Sequence, residues 1–166
     1  MMGLSLGPAS LAMAVLSFDG LQVVSGLRRY PEGSSSKAAW LEKLLWAANE
    51  AIGVARMYRV LHGAIAVPDA RGVDVWRHGE LSGAVKTQLW LGRQVISADV
   101  VASEARSRIM GEAVSGALGA EVLRAAGLRC SSAEECDAYV VARVRFDAMV
   151  RQRSSLDRVL KEEIGT

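Results

Sequence analysis

Glu134 and Asp137 are the two residues whose type and spacing most suggest chemistry. Three apart on a helix, their carboxylates share one face, and hard oxygens of that kind are what a magnesium ion takes. The same stretch begins with Ser132 and has Glu135 three residues on, the pattern of a capping box. The pair therefore falls in the first turns of a helix, where acidic side chains also favour the positive end of the dipole. On the residues alone the dipole reading is the better supported of the two. The other reactive side chains offer less. His62 and His78 lack metal-ligand spacing and read as core or surface residues. Cys130 and Cys136 form no Cys-x-x-Cys pattern and read as reduced, structural thiols. No Walker loop, Rossmann fingerprint or nucleophile elbow is present.

The elements that must position such a pair follow from the hydrophobic pattern. The opening reads as strand, tight turn, strand, Asp19-Gly20 hairpin, strand. A loop over Pro31–Ser36 leads to a helix from Lys37 to about Met57, with Trp40, Leu41, Leu44, Leu45, Ala48, Ile52 and Ala55 at helical spacing. Trp40 and Trp46 are possible stacking platforms for bases; Trp40 lies on the apolar stripe and reads as core, while Trp46 falls off it and stays open. Val60 to Val67 reads as a buried strand stopped at Pro68-Asp69. A helix from about Val75 to Leu91 carries Leu81, Ala84, Val85, Gln88 and Leu89, with Gly92 as its C-cap. Gln94 to Val101 is the fifth strand. Ser103 is the expected cap of a short helix through Met110, broken at Gly111. Val114, Leu118 and Val122 mark the next helix, closed by Gly127. The last helix should start at Ser132 and pass Phe146. Three strands followed by alternating helices and strands imply a mixed sheet covered by helices.

At 166 residues, 51% of them apolar, the chain is long enough to fold as one domain without staples. The expected division is a domain over residues 1–153 and a polar C-terminal tail over 154–166. A net charge of +2 gives no global field to draw in a polyanion, so such a site must be a local patch. Arg28, Arg29 and the arginines of the last third are its candidate members, and equally read as solvated surface. The first basic residue is Arg28, and Gly3, Gly7 and Pro8 interrupt the opening apolar run, against a secretory signal. No uncharged stretch reaches transmembrane length. The expected location is cytoplasmic, away from membranes.

Several short motifs together resemble a known family. The chain opens Gly3-Leu4-Ser5-Leu6-Gly7, has Ala64-Ile65-Ala66 on its fourth strand, places Arg106 and Gly111 after the fifth, and carries Glu134-Glu135-Cys136-Asp137-Ala138 on the last helix. Over residues 3 to 150 this resembles the RuvC-type Holliday-junction resolvases. Their first strand reads Gly-Ile-Asp-Pro-Gly, their fourth ends Ala-Ile-Glu, and their last helix carries Asp-x-x-Asp-Ala. The resemblance implies a ribonuclease H-like α/β fold: an antiparallel three-stranded meander plus two parallel strands, flanked by helices. It also implies a homodimer acting on branched or double-stranded DNA, with Arg106 and Arg108 joining Arg28 and Arg29 as nucleic-acid contacts. The helix with Leu81, Val85 and Leu89 could give the dimer face, although core packing explains it equally well.

The family's chemistry uses two magnesium ions held by clustered carboxylates. Of its four acidic positions, Glu134 and Asp137 stand here as a remnant of the catalytic, metal-binding set, while Ser5 and Ala66 are degenerate. The family's lysine after the conserved glycine has no counterpart near Ala117. A hydroxyl and a methyl neutralise none of a metal's charge, so Mg2+ binding should be weak or absent. The expectation is a resolvase-like nucleic-acid-binding or assembly protein with impaired catalysis. Two alternatives remain open: an active magnesium-dependent, structure-selective endonuclease with a rearranged site, or a scaffold for another protein. The active reading needs a third carboxylate near Ser5. Asp19 sits at a hairpin tip and Asp69 lies beyond a proline, so neither is well placed.

Overall fold

The computed structural model describes residues 1–31, 37–68 and 75–164. A five-stranded sheet carries strands β1 (Met2–Leu6), β2 (Ser10–Leu16), β3 (Gln22–Arg29), β4 (His62–Val67) and β5 (Ile96–Val101). Their order across the sheet is β3-β2-β1-β4-β5. β1, β2 and β3 pair antiparallel, while β1–β4 and β4–β5 are parallel. The helices are α1 (Lys37–Met57), α2 (Val75–Arg93), α3 (Ala102–Met110), α4 (Gly116–Ala125) and α5 (Ala133–Ile164). This is the antiparallel three-stranded meander with two added parallel strands that the resemblance implied. No helix among the described residues is long and apolar enough to cross a membrane.

Both faces of the central strands are covered, which explains why β1 and β2 read as near-continuous apolar runs. The two faces differ in side-chain size. Met2, Leu4, Leu6, Leu11, Met13, Val15 and Ile65 belong to a core of large side chains with α1 and α2. Ala12, Ala14, Ala64 and Ala66 lie on the opposite face, in a core of small side chains with α3, α4 and α5. Small residues let helix and sheet backbones come close. At Gly3, an added Cβ would run into the Ala138 carbonyl of α5 and sit 2.8 Å from the Ala142 methyl.

The opening hairpins form where expected. At the Asp19-Gly20 turn, Gly20 has φ +82°, and its N–H bonds the Ser17 carbonyl at 3.1 Å. The loop needs that left-handed glycine to bring Leu21 back opposite Ser17. The start of α5 carries the Ser132–Glu135 cap, with the return bond falling one residue earlier than in a strict capping box. Ser132 Oγ accepts from Glu135 N at 3.1 Å, and Glu135 Oε2 accepts from Ser131 N at 2.7 Å. Glu135 also accepts from Ser25 of β3 at 3.3 Å, tying the helix start to the sheet.

Several local expectations shift. Gly92 remains inside α2, and the positive φ falls on Gln94 at +55°. Ser103 does not cap α3; Val101 holds that position without a side-chain bond. α4 is capped by Ser115, which accepts from Leu118 N at 3.2 Å. Its stripe of Leu118 and Val122 faces solvent, and Gly119, Ala120 and Leu123 are buried instead. The reason is close packing on α5: a Cβ at Gly119 would lie 2.7 Å from Cys136 Sγ. On α1, Leu41 and Leu45 are likewise exposed, while Trp40 and Trp46 pack partly buried against the core. Trp46 meets Tyr30 edge to face at 5.4 Å. Leu81, Val85 and Leu89 are core residues and so present no dimer face. α5 stays helical to Ile164, through the point at residue 154 where the sequence turns polar.

Cys130 and Cys136 are free and buried. Burial pushes their thiols up to about 11 and about 12 respectively. Unfolding returns both to ordinary thiol behaviour near 9.0, so above that pH the unfolded chain releases protons that the fold retains. Their contribution to stability is complete below pH 9 and should fall as pH rises from there, through about 11 for Cys130 and about 12 for Cys136. Urea midpoints across that range should drop more steeply in the native sequence than in Cys136→Ala. At the strand–helix contact, Gly3→Ala should destabilise by about 1–3 kcal/mol through forced overlap with α5, measured by urea unfolding.

Candidate functional site

A cavity of about 500 Å³ opens at the carboxyl ends of β1 and β4. Parallel strands there splay apart from the chain segments that follow them, leaving a crevice that ligands commonly use. Ser5, Ala66, Glu134 and Asp137 all line it. Ser5 and Ala66 are neighbours across the parallel β1–β4 pair and are both buried. The Ser132–Glu135 cap sets the position of Glu134 and Asp137, one turn apart, at the start of the helix crossing that pair.

Neither strand position carries charge. Asp137 is also engaged already: Arg106 of α3 makes an ion pair with it through Nη1. Arg106 Nε donates to the Val114 carbonyl at 2.9 Å, which fixes the guanidinium in place. The ion pair is largely buried, with side-chain exposures of 14% for Arg106 and 20% for Asp137. Arg106 thus turns inward, where the sequence placed it among nucleic-acid contacts. Among the described residues, no group of three His, Cys, Asp or Glu could hold a metal ion. The described donor set therefore does not fit a pair of magnesium ions.

The sequence did not bring the opposite wall to this site: Trp40 reads as core and His78 as core or surface, and nothing marks Lys43 or Arg77. Trp40 and Lys43 come from α1 and Arg77 and His78 from α2, all lining the same cavity. Their helices bear no motif, and only the packing of α1 on α2 brings them together. Trp40 Nε1 donates to Glu80 at 2.9 Å. Burial lowers the proton affinity of His78, opposed by a hydrogen bond to the Leu6 backbone and by the charge of Asp99.

The remaining candidates lie elsewhere. Arg28 and Arg29 are exposed on β3, the edge strand away from the parallel pair, and Arg28 pairs with Glu50 at 3.0 Å. Arg108 is exposed on α3. His62 does not line the cavity, and burial lowers its proton affinity, with the Arg145 charge adding to that. Asp19 is absent from the cavity wall; it accepts from Ser17 at the hairpin tip. Asp69 lies outside the described residues.

The arrangement has counterparts among solved structures. Thermus thermophilus RuvC superposes with a TM-score of 0.67 at 15% identity, covering 90% of this chain and 96% of that one. The fold is that of the RuvC resolvases. A second structure, T. thermophilus RuvC in complex with a Holliday-junction substrate, gives a TM-score of 0.66 at 14% identity over 90% of this chain and 94% of that one. No family model and no curated protein matches the chain by sequence. The RuvC likeness is thus one of backbone architecture, carried by chains with few identical residues.

The Arg106–Asp137 ion pair links α3 to α5. Arg106→Met should leave Asp137 without that partner and lower stability by about 1–3 kcal/mol, with Arg106→Lys recovering part of the loss in urea unfolding.

Proposed function

We propose that this protein binds branched or double-stranded DNA on a resolvase scaffold and has lost the two-metal cleavage step. The observation carrying this reading is the charge content of the cavity. Ser5 and Ala66 contribute no negative charge, and Arg106 already offsets that of Asp137. Two divalent cations need several anionic oxygens converging from strands and helix. Here Glu134 is the one described carboxylate at these positions without an ion pair to a described residue. Any Mg2+ held there would be held weakly.

The nucleic-acid half of the proposal draws its support from the fold shared with a RuvC that was solved on a Holliday junction. Arg29 and Arg108 are exposed and suited to phosphate contacts, and Arg28 shares its charge with Glu50. A homodimer is part of the reading. Its surface is not the buried Leu81–Val85–Leu89 stripe; exposed Leu41 and Leu45, one turn apart on α1, offer apolar area instead.

A labelled four-way junction tests both halves. Binding should weaken as salt rises, with a log–log slope that Arg108→Ala reduces by about 1. No cutting should follow addition of magnesium or manganese. Metal-dependent cutting that disappears in Asp137→Asn would overturn the loss of catalysis. Affinity indifferent to salt would overturn phosphate binding.

A further inference from the structure

The end of the sheet opposite the cavity carries an apolar surface that the fold leaves uncovered. α1 ends there at Met57 and α2 at Arg93, beside the amino ends of β4 and β5. Leu61 and Ile96 meet between them, with Ile96 N–H donating to the Leu61 carbonyl at 3.3 Å. A Cβ at Gly92 would lie 3.5 Å from Ile52 of α1, so the two helix ends form one platform. On it, Met57, Leu61, Trp90, Leu91 and Ile96 are each between 52% and 74% exposed.

Both helices finish in the same turn. Val60 N–H donates to the Ala55 carbonyl at 2.9 Å, and Val95 N–H to the Leu89 carbonyl at 3.2 Å. The left-handed residue of each turn is Arg59 (φ +51°) in one and Gln94 (φ +55°) in the other. Glycine would hold that conformation with less strain. Among the described residues these are the two non-glycine positions with positive φ, and both fall on this surface. Strain of that kind gathers at functional sites.

The charge here has one sign. Residues 51–61 and 87–97 contain Arg56, Arg59 and Arg93 but no Asp, Glu or Lys. All three arginines are exposed, and none makes an ion pair with a described residue. A second copy docking through the same face would set arginine against arginine. Nucleic acid would satisfy the arginines but leave the aliphatic side chains in water. Tryptophan, methionine and arginine without lysine are the composition of a protein interface.

We propose that this end of the fold docks an acidic amphipathic helix of a protein partner. Such a helix presents apolar side chains and carboxylates on adjoining faces of one short segment. Its apolar side chains seat among the five exposed residues, and its carboxylates pair with the three arginines. Docking at this end neither needs nor blocks DNA at the cavity end.

The test titrates a synthetic leucine–alanine–glutamate amphipathic helix of about 16 residues into the intact protein. The readout is the Trp90 indole N–H by NMR, assigned with Trp90→Phe. The peptide should shift that signal and saturate. A peptide with glutamine in place of glutamate should bind about tenfold more weakly, and the glutamate peptide should lose as much on the double variant Arg59→Gln, Arg93→Gln. Leu61→Ser should weaken it as well. All these side chains are exposed, and native-like spectra establish that each variant is folded. No saturable shift, equal binding of the glutamine peptide, or unchanged affinity in the double variant would each overturn the proposal. An equal response of the Trp90 signal to a thymidine tetranucleotide or to phosphatidylserine vesicles would also overturn it. So would a dimer that Leu61→Ser separates. A four-way junction run in parallel should bind the double variant as it binds the native sequence; a loss of junction affinity there would make this surface a DNA contact instead.

Discussion

The close approach of α5 to the centre of the sheet is the constraint on which the site depends. A 32-residue helix crosses strands whose facing residues are mainly glycine and alanine, so its backbone lies against β1 at Gly3. With larger residues there, α5 would sit further out and its first turn would move away from the strand ends. The small-residue face thus holds Glu134 and Asp137 over Ser5 and Ala66. Large side chains on the other face pack against α1 and α2. The sheet uses one face for stability and the other for position.

Position along α5 is set separately. The Ser132–Glu135 cap fixes where the helix begins, and the Ser25–Glu135 bond ties that point to β3. Gln22 adds a second tie to the preceding loop, bonding both the N–H and the carbonyl of Arg129. Glu135, buried and bonded on both oxygens, therefore serves the helix terminus, while its neighbours Glu134 and Asp137 reach the cavity. Three acidic residues within four positions have different tasks because helix geometry points them in different directions.

The electrostatics of the cavity differ from those of a metal site in a specific way. A two-metal centre gathers negative charge and neutralises it with mobile cations. Here the negative charge is reduced at two positions by Ser5 and Ala66 and offset at a third by Arg106, a cation that belongs to the chain. Lys43 and Arg77 bring further positive charge to the opposite wall.

Much of this was legible in the sequence because it is local. The opening meander, the Asp19-Gly20 turn, the Gly111 and Gly127 helix ends and the Ser132–Glu135 cap each follow from short-range rules. The Gly3-to-Gly7 and Ala64-to-Ala66 motifs marked the two neutral strand positions before any geometry was known. Exposure was harder to read. Leu118, Val122, Leu41 and Leu45 have helical spacing yet face solvent, because apolar periodicity names a face but glycine and alanine decide which face can pack closely. The inward turn of Arg106 and the grouping of Lys43 with Arg77 were beyond the sequence altogether. Asp137 lies 31 residues from Arg106, and Lys43 is separated from Arg77 by a strand. Local sequence determined the elements and the uncharged residues at Ser5 and Ala66; only helix packing across the sheet decided which side chains face them.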